Sequence, residues 1–199
     1  LKDLGAKVSK TSIPLLEQAV SIYYLIAPSE ASSNLARYDG FKYGITDKSS
    51  KNIWETMEFT RGEGFGKEVK RRILIGTYAL SSGYYDAYYK KAQQVRTLLT
   101  ESLLNEFNKY DVLISPTSPS VAFDLKSKIN NPLAMYLNDI CTIPANIAGI
   151  PAISIPSQLS DNLPVGLQIM GPHFSESKIM NIGNSIQKIT DWHKEKPTI

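Results

Sequence analysis

The sequence predicts an α/β fold, and three features carry that expectation. A long helical pattern follows Gly83, several short apolar runs are stopped by proline, and the two kinds of segment alternate along the chain. No internal repeat or low-complexity tract interrupts the alternation.

Taken in order, Gly5, Ala6, Val8 and Ile13 in a polar setting suit a short strand. Pro14 then fits the first position of a helix, where its missing N–H would be unpaired in any case. Leu16, Val20, Tyr23 or Tyr24 and Ala27 continue that helix, which Pro28 should kink or end near Ala27, with Ser29 to Ala36 resuming it. Asp39-Gly40, with Gly44 beyond, marks a turn, and the polar stretch Thr46 to Asn52 reads as a surface loop. A flexible glycine-rich turn, Arg61 to Lys67, should lead into a helix over Glu68 to Leu80.

Tyr88, Ala92, Val95, Leu99, Leu103 and Phe107 recur at three- and four-residue steps and share one helical face, with Lys90, Lys91 and Glu101 opposite. Asp111-Val112-Leu113-Ile114-Ser115-Pro116 looks like a buried strand stopped by its proline. Ala152 to Ile155, between Pro151 and Pro156, and Val165 to Met170 supply two more, and a last helix runs from about Ser175 to Ile189.

Composition narrows the function classes. The 199 residues carry 22 Lys plus Arg against 19 Asp plus Glu, a net charge of +3, and 42% are hydrophobic, which excludes collagen-like and globally disordered chains. Cys141 is the only cysteine, so no internal disulfide can form, and His173 and His193 show no zinc-ligand spacing; a reducing compartment is expected. The best apolar run, Ala19 to Ala27, is far short of the ~18 residues a membrane span needs. Lys67, Lys70, Arg71 and Arg72 form a basic cluster that reads as a solvated helix face, because so small a net charge gives no case for nucleic-acid binding. The chain opens at Leu1 without a targeting pattern, and the expectation is an excerpt of a longer protein.

Several motifs fail on spacing. Arg61-Gly62-Glu63-Gly64-Phe65-Gly66-Lys67 lacks the first glycine of a phosphate loop, where Arg61 stands, and the Ser or Thr after its lysine, where Glu68 stands. No Gly-x-Ser-x-Gly elbow exists for a serine hydrolase. Cys141, beside Ile140 and near Ile143, reads as a small buried hydrophobe rather than a nucleophile. Ser81-Ser82-Gly83 reads as a helix junction.

Five strings stand in a distinctive order: EASSNLARYDG (30–40), RGEGFGKEVKRRILIGTYALSSGYYDAYYKKA (61–92), DVLISPTSP (111–119), MYLNDICTIPANIAGIPAISIP (135–156) and LPVGLQIMGPHFSE (163–176). Together they closely resemble the C-terminal portion of the A subunits of glutamyl-tRNA(Gln) amidotransferases, within the amidase signature family. The resemblance implies one amidase domain with a mixed β-sheet covered by helices, of which residues 1–199 would be the C-terminal part. It further implies that ammonia is released from glutamine through a Ser-cis-Ser-Lys triad and an acyl-enzyme. That ammonia would pass to the tRNA-binding B subunit of the amidotransferase, working with its small C subunit, where ATP and Mg activate the glutamyl-tRNA. No cofactor is expected in this chain, and the setting would be cytoplasmic or organellar.

The glycine- and serine-rich signature and the triad lysine have no match here, so no catalytic residue is assigned and the fragment alone is expected to be inactive. By their place in the RRI and YLNDI strings, Arg72 and Asp139 match family positions that hold the amino-acid end of glutamine, and Tyr23 matches a tyrosine lining that pocket. The chemistry suits them: a zwitterion needs a cation for its carboxylate and an anion for its ammonium, and a guanidinium offers the carboxylate two parallel hydrogen bonds. Plainer roles compete. Glu68 and Arg72 stand four apart as an ordinary helix pair, Asp139 could cap the helix after it, Tyr23 could be core, and Arg71 is an alternative to Arg72. A stand-alone amidase or a non-catalytic interaction fragment remain the alternative functions.

Overall fold

The computed structural model describes residues 1–125 and 132–196. Seven α-helices are assigned among them: α1 (Ala19–Leu35), α2 (Ile53–Gly64), α3 (Lys67–Leu80), α4 (Lys91–Glu106), α5 (Pro132–Tyr136), α6 (Ile143–Ala148) and α7 (Glu176–Gln187). Three strands accompany them: β1 (Leu113–Pro116), β2 (Ala152–Ser160) and β3 (Leu163–Met170). The described residues divide into two compact units, one of residues 1–20 and 96–199, the other of residues 21–95.

In the second unit α1 and α3 meet at very close range. Ile22, Ile26, Pro28 and Ser29 of α1 are buried, as are Gly76 and Ala79 of α3. A Cβ added at Gly76 would lie only 2.5 Å from the Pro28 carbonyl carbon and 2.8 Å from Ser32 Cβ, so glycine is what lets the backbones approach. The same contact explains why α1 does not end near Ala27 but runs through Pro28 to Leu35. A proline inside a helix costs about 3 kcal/mol, and burial of the surrounding face offsets it. Ser29 also donates its hydroxyl to the Leu25 carbonyl at 2.6 Å.

Helix α2 has no counterpart in the sequence expectations. Asn52 caps it by accepting from the N–H groups of Trp54 and Glu55, and Glu55 reaches back to accept from the Lys51 N–H at 2.7 Å. Its buried residues are Thr56 and Thr60, whereas Ile53, Trp54 and Phe59 are exposed. The glycine-rich segment is therefore corrected. Arg61–Gly64 form the last turn of α2, and only Phe65 and Gly66 break the path into α3.

The first unit is built on a three-stranded sheet in the order β1-β3-β2. Both pairings are antiparallel, so the α/β class holds while the parallel component of a mixed sheet is not found among the described residues. Asp161 and Asn162, at φ 52° and 61°, form the two-residue connection between β2 and β3, the conformation that matches strand twist in a tight hairpin. Pro156 does not stop β2; it pairs opposite Gly166, and the strand absorbs it with an irregularity between Pro156 and Gln158. Ile179 and Ile186 of α7 close over Ile155 and Ile169 of the sheet. Leu99 and Leu103 of α4 are fully buried, as their helical spacing predicts. No strand forms over residues 1–13, where Lys2 to Ser12 are exposed and only a short turn at Lys2–Leu4 is regular. Without a face to bury, alternation alone does not make a strand.

Candidate functional site

Helix α3 presents Arg72 on its inner side. Glu68, one turn earlier, accepts from Arg72 Nε at 3.0 Å with one carboxylate oxygen and from Arg71 Nη1 at 2.8 Å with the other. The expected helix pair thus exists, and on its own it is worth only ~0.3–0.5 kcal/mol. The surroundings separate the two arginines. Arg71 is 48% exposed, while Arg72 is 30% exposed and lies over the ring of Tyr24 at 5.5 Å. Tyr23 stands beside it, its ring packed edge-on against Tyr24 with centroids 5.0 Å apart. Partial burial pulls the Arg72 pKa down, but hydrogen bonds with Glu68 and Tyr23 and the neighbouring tyrosines more than offset it, and the net shift is upward. The charge on Arg72 is therefore permanent and its Nε is held in one direction.

Arg72 and Tyr23 are thus brought together within one compact unit, and Asp139 belongs to the other. Asp139 ends a short turn, Leu137–Asp139, and its side chain is exposed. Its backbone carbonyl accepts from both the N–H of Thr142, at 3.0 Å, and the Thr142 hydroxyl, at 3.1 Å. The capping role weighed for Asp139 is not seen: α6 begins after Thr142, with Pro144 in its first turn and no side-chain cap bond. Between Asp139 and Thr142 lies Cys141, whose thiol pKa is pushed up by burial, in keeping with an inert side chain.

One residue escaped the sequence reading. Gln168, in the middle of β3, is 3% exposed and donates from Nε2 to Ser115 Oγ at 3.0 Å and to the Cys141 carbonyl at 2.8 Å. A long polar side chain inside an apolar strand was the available signal, because such a group is tolerated there only with partners. Gln168 also lines a cleft of about 400 Å³ with Thr117, Thr142, Asn146, Gly149 and Ser154. The named lining is uncharged. Thr117 and Ser154 share a hydroxyl–hydroxyl hydrogen bond of 2.7 Å, and Gly166 leaves room for it, since a Cβ there would come within 2.7 Å of Thr117 Oγ1.

Among the described residues no three His, Cys, Asp or Glu side chains gather as a metal site would require, and no helix is long and apolar enough to cross a membrane.

Comparison with known proteins places this arrangement. The family model described as Amidase matches residues 1–180. Over 200 residues the chain is 55% identical to the A subunit of glutamyl-tRNA(Gln) amidotransferase from Dehalococcoides mccartyi strain CBDB1, covering 100% of this chain and 41% of that protein. The protein of the same name from Geobacillus kaustophilus is 54% identical over 199 residues, again across 100% of this chain and 41% of its own length. The chain therefore spans about two fifths of the length of these curated relatives. Among solved structures, the glutamyl-tRNA(Gln) amidotransferase A subunit of Thermotoga maritima aligns with a TM-score of 0.68 at 43% identity, over 94% of this chain and 36% of that one. A bacterial aryl acylamidase of the amidase signature family gives a TM-score of 0.69 at 17% identity, over 99% of this chain and 40% of that one, a likeness of fold alone. With the family model matched over residues 1–180 and the fold shared with solved amidases, the chain belongs to the amidase family.

Proposed function

We propose that these residues are the C-terminal part of a single amidase domain in the glutamine-hydrolysing A subunit of a tRNA-dependent amidotransferase. The observation that carries the reading is the 55% identity, along the entire chain, to a relative that bears that name. In this reading the side-chain amide C–N bond of glutamine is cleaved to glutamate and ammonia, and the ammonia converts glutamyl-tRNA(Gln) to glutaminyl-tRNA(Gln) with the B and C subunits of the amidotransferase. ATP, Mg and tRNA belong to the B subunit, and the setting is cytoplasmic or organellar.

Arg72 takes the α-carboxylate of glutamine, Asp139 takes the α-ammonium, and Tyr23 lines the pocket and steadies Arg72. The environment of Arg72 supports its role, because a guanidinium whose Nε is fixed by Glu68 loses less freedom when its fork meets a carboxylate. An exposed carboxylate on a turn closed by Thr142 supports the role of Asp139. The Ser-Ser-Lys chemistry of the family has no residues in this chain, so no catalytic group is assigned here.

The reading is tested in the full-length protein by glutamine hydrolysis. Arg72→Ala and Asp139→Asn are each expected to raise the KM for glutamine by roughly 10- to 100-fold, the scale of a lost charge-assisted hydrogen bond. A KM unchanged in both variants refutes the site. Residues 1–199 alone are expected to show no turnover, and activity above background in that polypeptide refutes the division of labour.

A further inference from the structure

Gln168 has no part in the glutamine contacts proposed above, and its burial is offset by the two hydrogen bonds of its carboxamide, which tie separate segments together. It lies on the central strand, opposite Ser115 of β1 and Ser154 of β2, which makes it one of the most firmly framed positions of the first unit. Its carboxamide reaches back 27 residues in sequence to the Cys141 carbonyl. Cys141 is two residues from Asp139. The turn that carries Asp139 is thus closed from within by the two Thr142 bonds and anchored from outside by Gln168. A turn of three residues has little persistence of its own, so an external anchor decides where its exposed carboxylate stands.

We propose that Gln168 is a positioning residue for amino-acid recognition: its Nε2–H···O=C bond to Cys141 fixes the Asp139–Thr142 turn so that the Asp139 carboxylate meets the substrate's α-ammonium. This rests on the role given to Asp139 above. Ser115 completes the device by accepting the other Nε2 bond and so orienting the carboxamide. A side chain of similar length without donors, such as methionine, fills the space but leaves the Cys141 carbonyl without this partner.

The experiment compares two substrates in the full-length enzyme: glutamine, and 4-carbamoylbutanoate, which is the same amide acid without the α-ammonium. For Gln168→Met the ratio of kcat/KM for glutamine to kcat/KM for the analogue is expected to fall roughly tenfold, the scale of one buried hydrogen bond, through the KM for glutamine. A purely structural role would lower both substrates together and leave the ratio alone. Asp139→Asn, run in parallel, should lower the ratio at least as far. If Asp139→Asn lowers it and Gln168→Met does not, the positioning role is overturned while the glutamine site stands. If Asp139→Asn leaves the ratio unchanged, the role given to Asp139 in the glutamine site fails and the positioning role falls with it. Should Gln168→Met fail to fold, Thr142→Val, which removes the hydroxyl bond to the Asp139 carbonyl, must lower the ratio; an unchanged ratio there overturns the inference.

Discussion

Replacing Gly76 with alanine sets two effects of opposite sign against each other. Alanine is the better helix former by about 0.8–1 kcal/mol, so propensity alone makes Gly76→Ala stabilising. The packing argues otherwise. The added methyl would stand 2.5 Å from the Pro28 carbonyl carbon and 2.8 Å from Ser32 Cβ, against an ordinary contact of 3.4–4 Å. A backbone carbonyl cannot swing aside as a side-chain tip can, so α3 must retreat from α1 by roughly 1 Å, at the upper end of the ~1–3 kcal/mol typical of overpacking. Subtracting the propensity gain leaves a net loss of about 2 kcal/mol. For a single amidase domain of which this chain is about two fifths, with an unfolding entropy of about 2.1 cal/mol/K per residue, that is a fall of roughly 2 °C in the thermal midpoint, read by calorimetry on the full-length protein. Arg72 lies one turn before Gly76 and Tyr24 one turn before Pro28, so the same retreat should loosen the Arg72–Tyr24 stack and raise the KM for glutamine. An unchanged or higher midpoint would refute the close approach and with it the explanation of how α1 survives Pro28.

Three further outcomes are expected. Arg72→Lys keeps the charge but loses the fork and its Nε bond to Glu68, so it should raise the KM for glutamine nearly as far as Arg72→Ala; full rescue by lysine would show that charge alone suffices. Glu106 is held below its ordinary value near 4.5, first by Lys109 and then by the Thr11 hydroxyl, so its contribution to stability is present above about pH 4.5 and lost as pH falls through the lower folded value. The thermal midpoint of Glu106→Gln should therefore trail the parent above that pH and converge with it on acidification, and a gap that widens in acid would contradict the assignment. The Tyr78 hydroxyl is pushed up to about 12, chiefly by its hydrogen bond with Tyr84 and then by burial. Tyr84→Phe should return its titration toward 10.0 as followed by ring-carbon NMR, and an unmoved titration would exclude Tyr84 as the cause.

The readable elements were those whose apolar pattern matches what they bury. Leu99 and Leu103 announced α4, and the runs around Leu113, Ile155 and Ile169 announced the three strands, although Ile114 beside Leu113 is exposed. Helix α2 hides because it inverts the rule, burying Thr56 and Thr60 and exposing Trp54, while its glycines mimic a turn. Pro28 misleads for a related reason. Its local penalty is visible in the sequence, but the compensating contact with Gly76 lies 48 residues away and has no local trace. At the candidate site, the resemblance of the neighbouring strings to the amidase signature family singled out Arg72, Asp139 and Tyr23, and the structure adds that Arg72 lies over the ring of Tyr24. Gln168 stayed unread because its meaning depends on a carbonyl supplied by another segment.

The thiol of Cys141 gives the turn a built-in gauge. It is the only sulfhydryl of residues 1–199, and its own carbonyl is the one Gln168 grips. Burial keeps it protonated, so iodoacetamide should attack it slowly, and the speed of alkylation becomes a clock for how often the segment lifts away from the sheet. Saturating glutamine should slow that clock if the amino acid seats against Asp139.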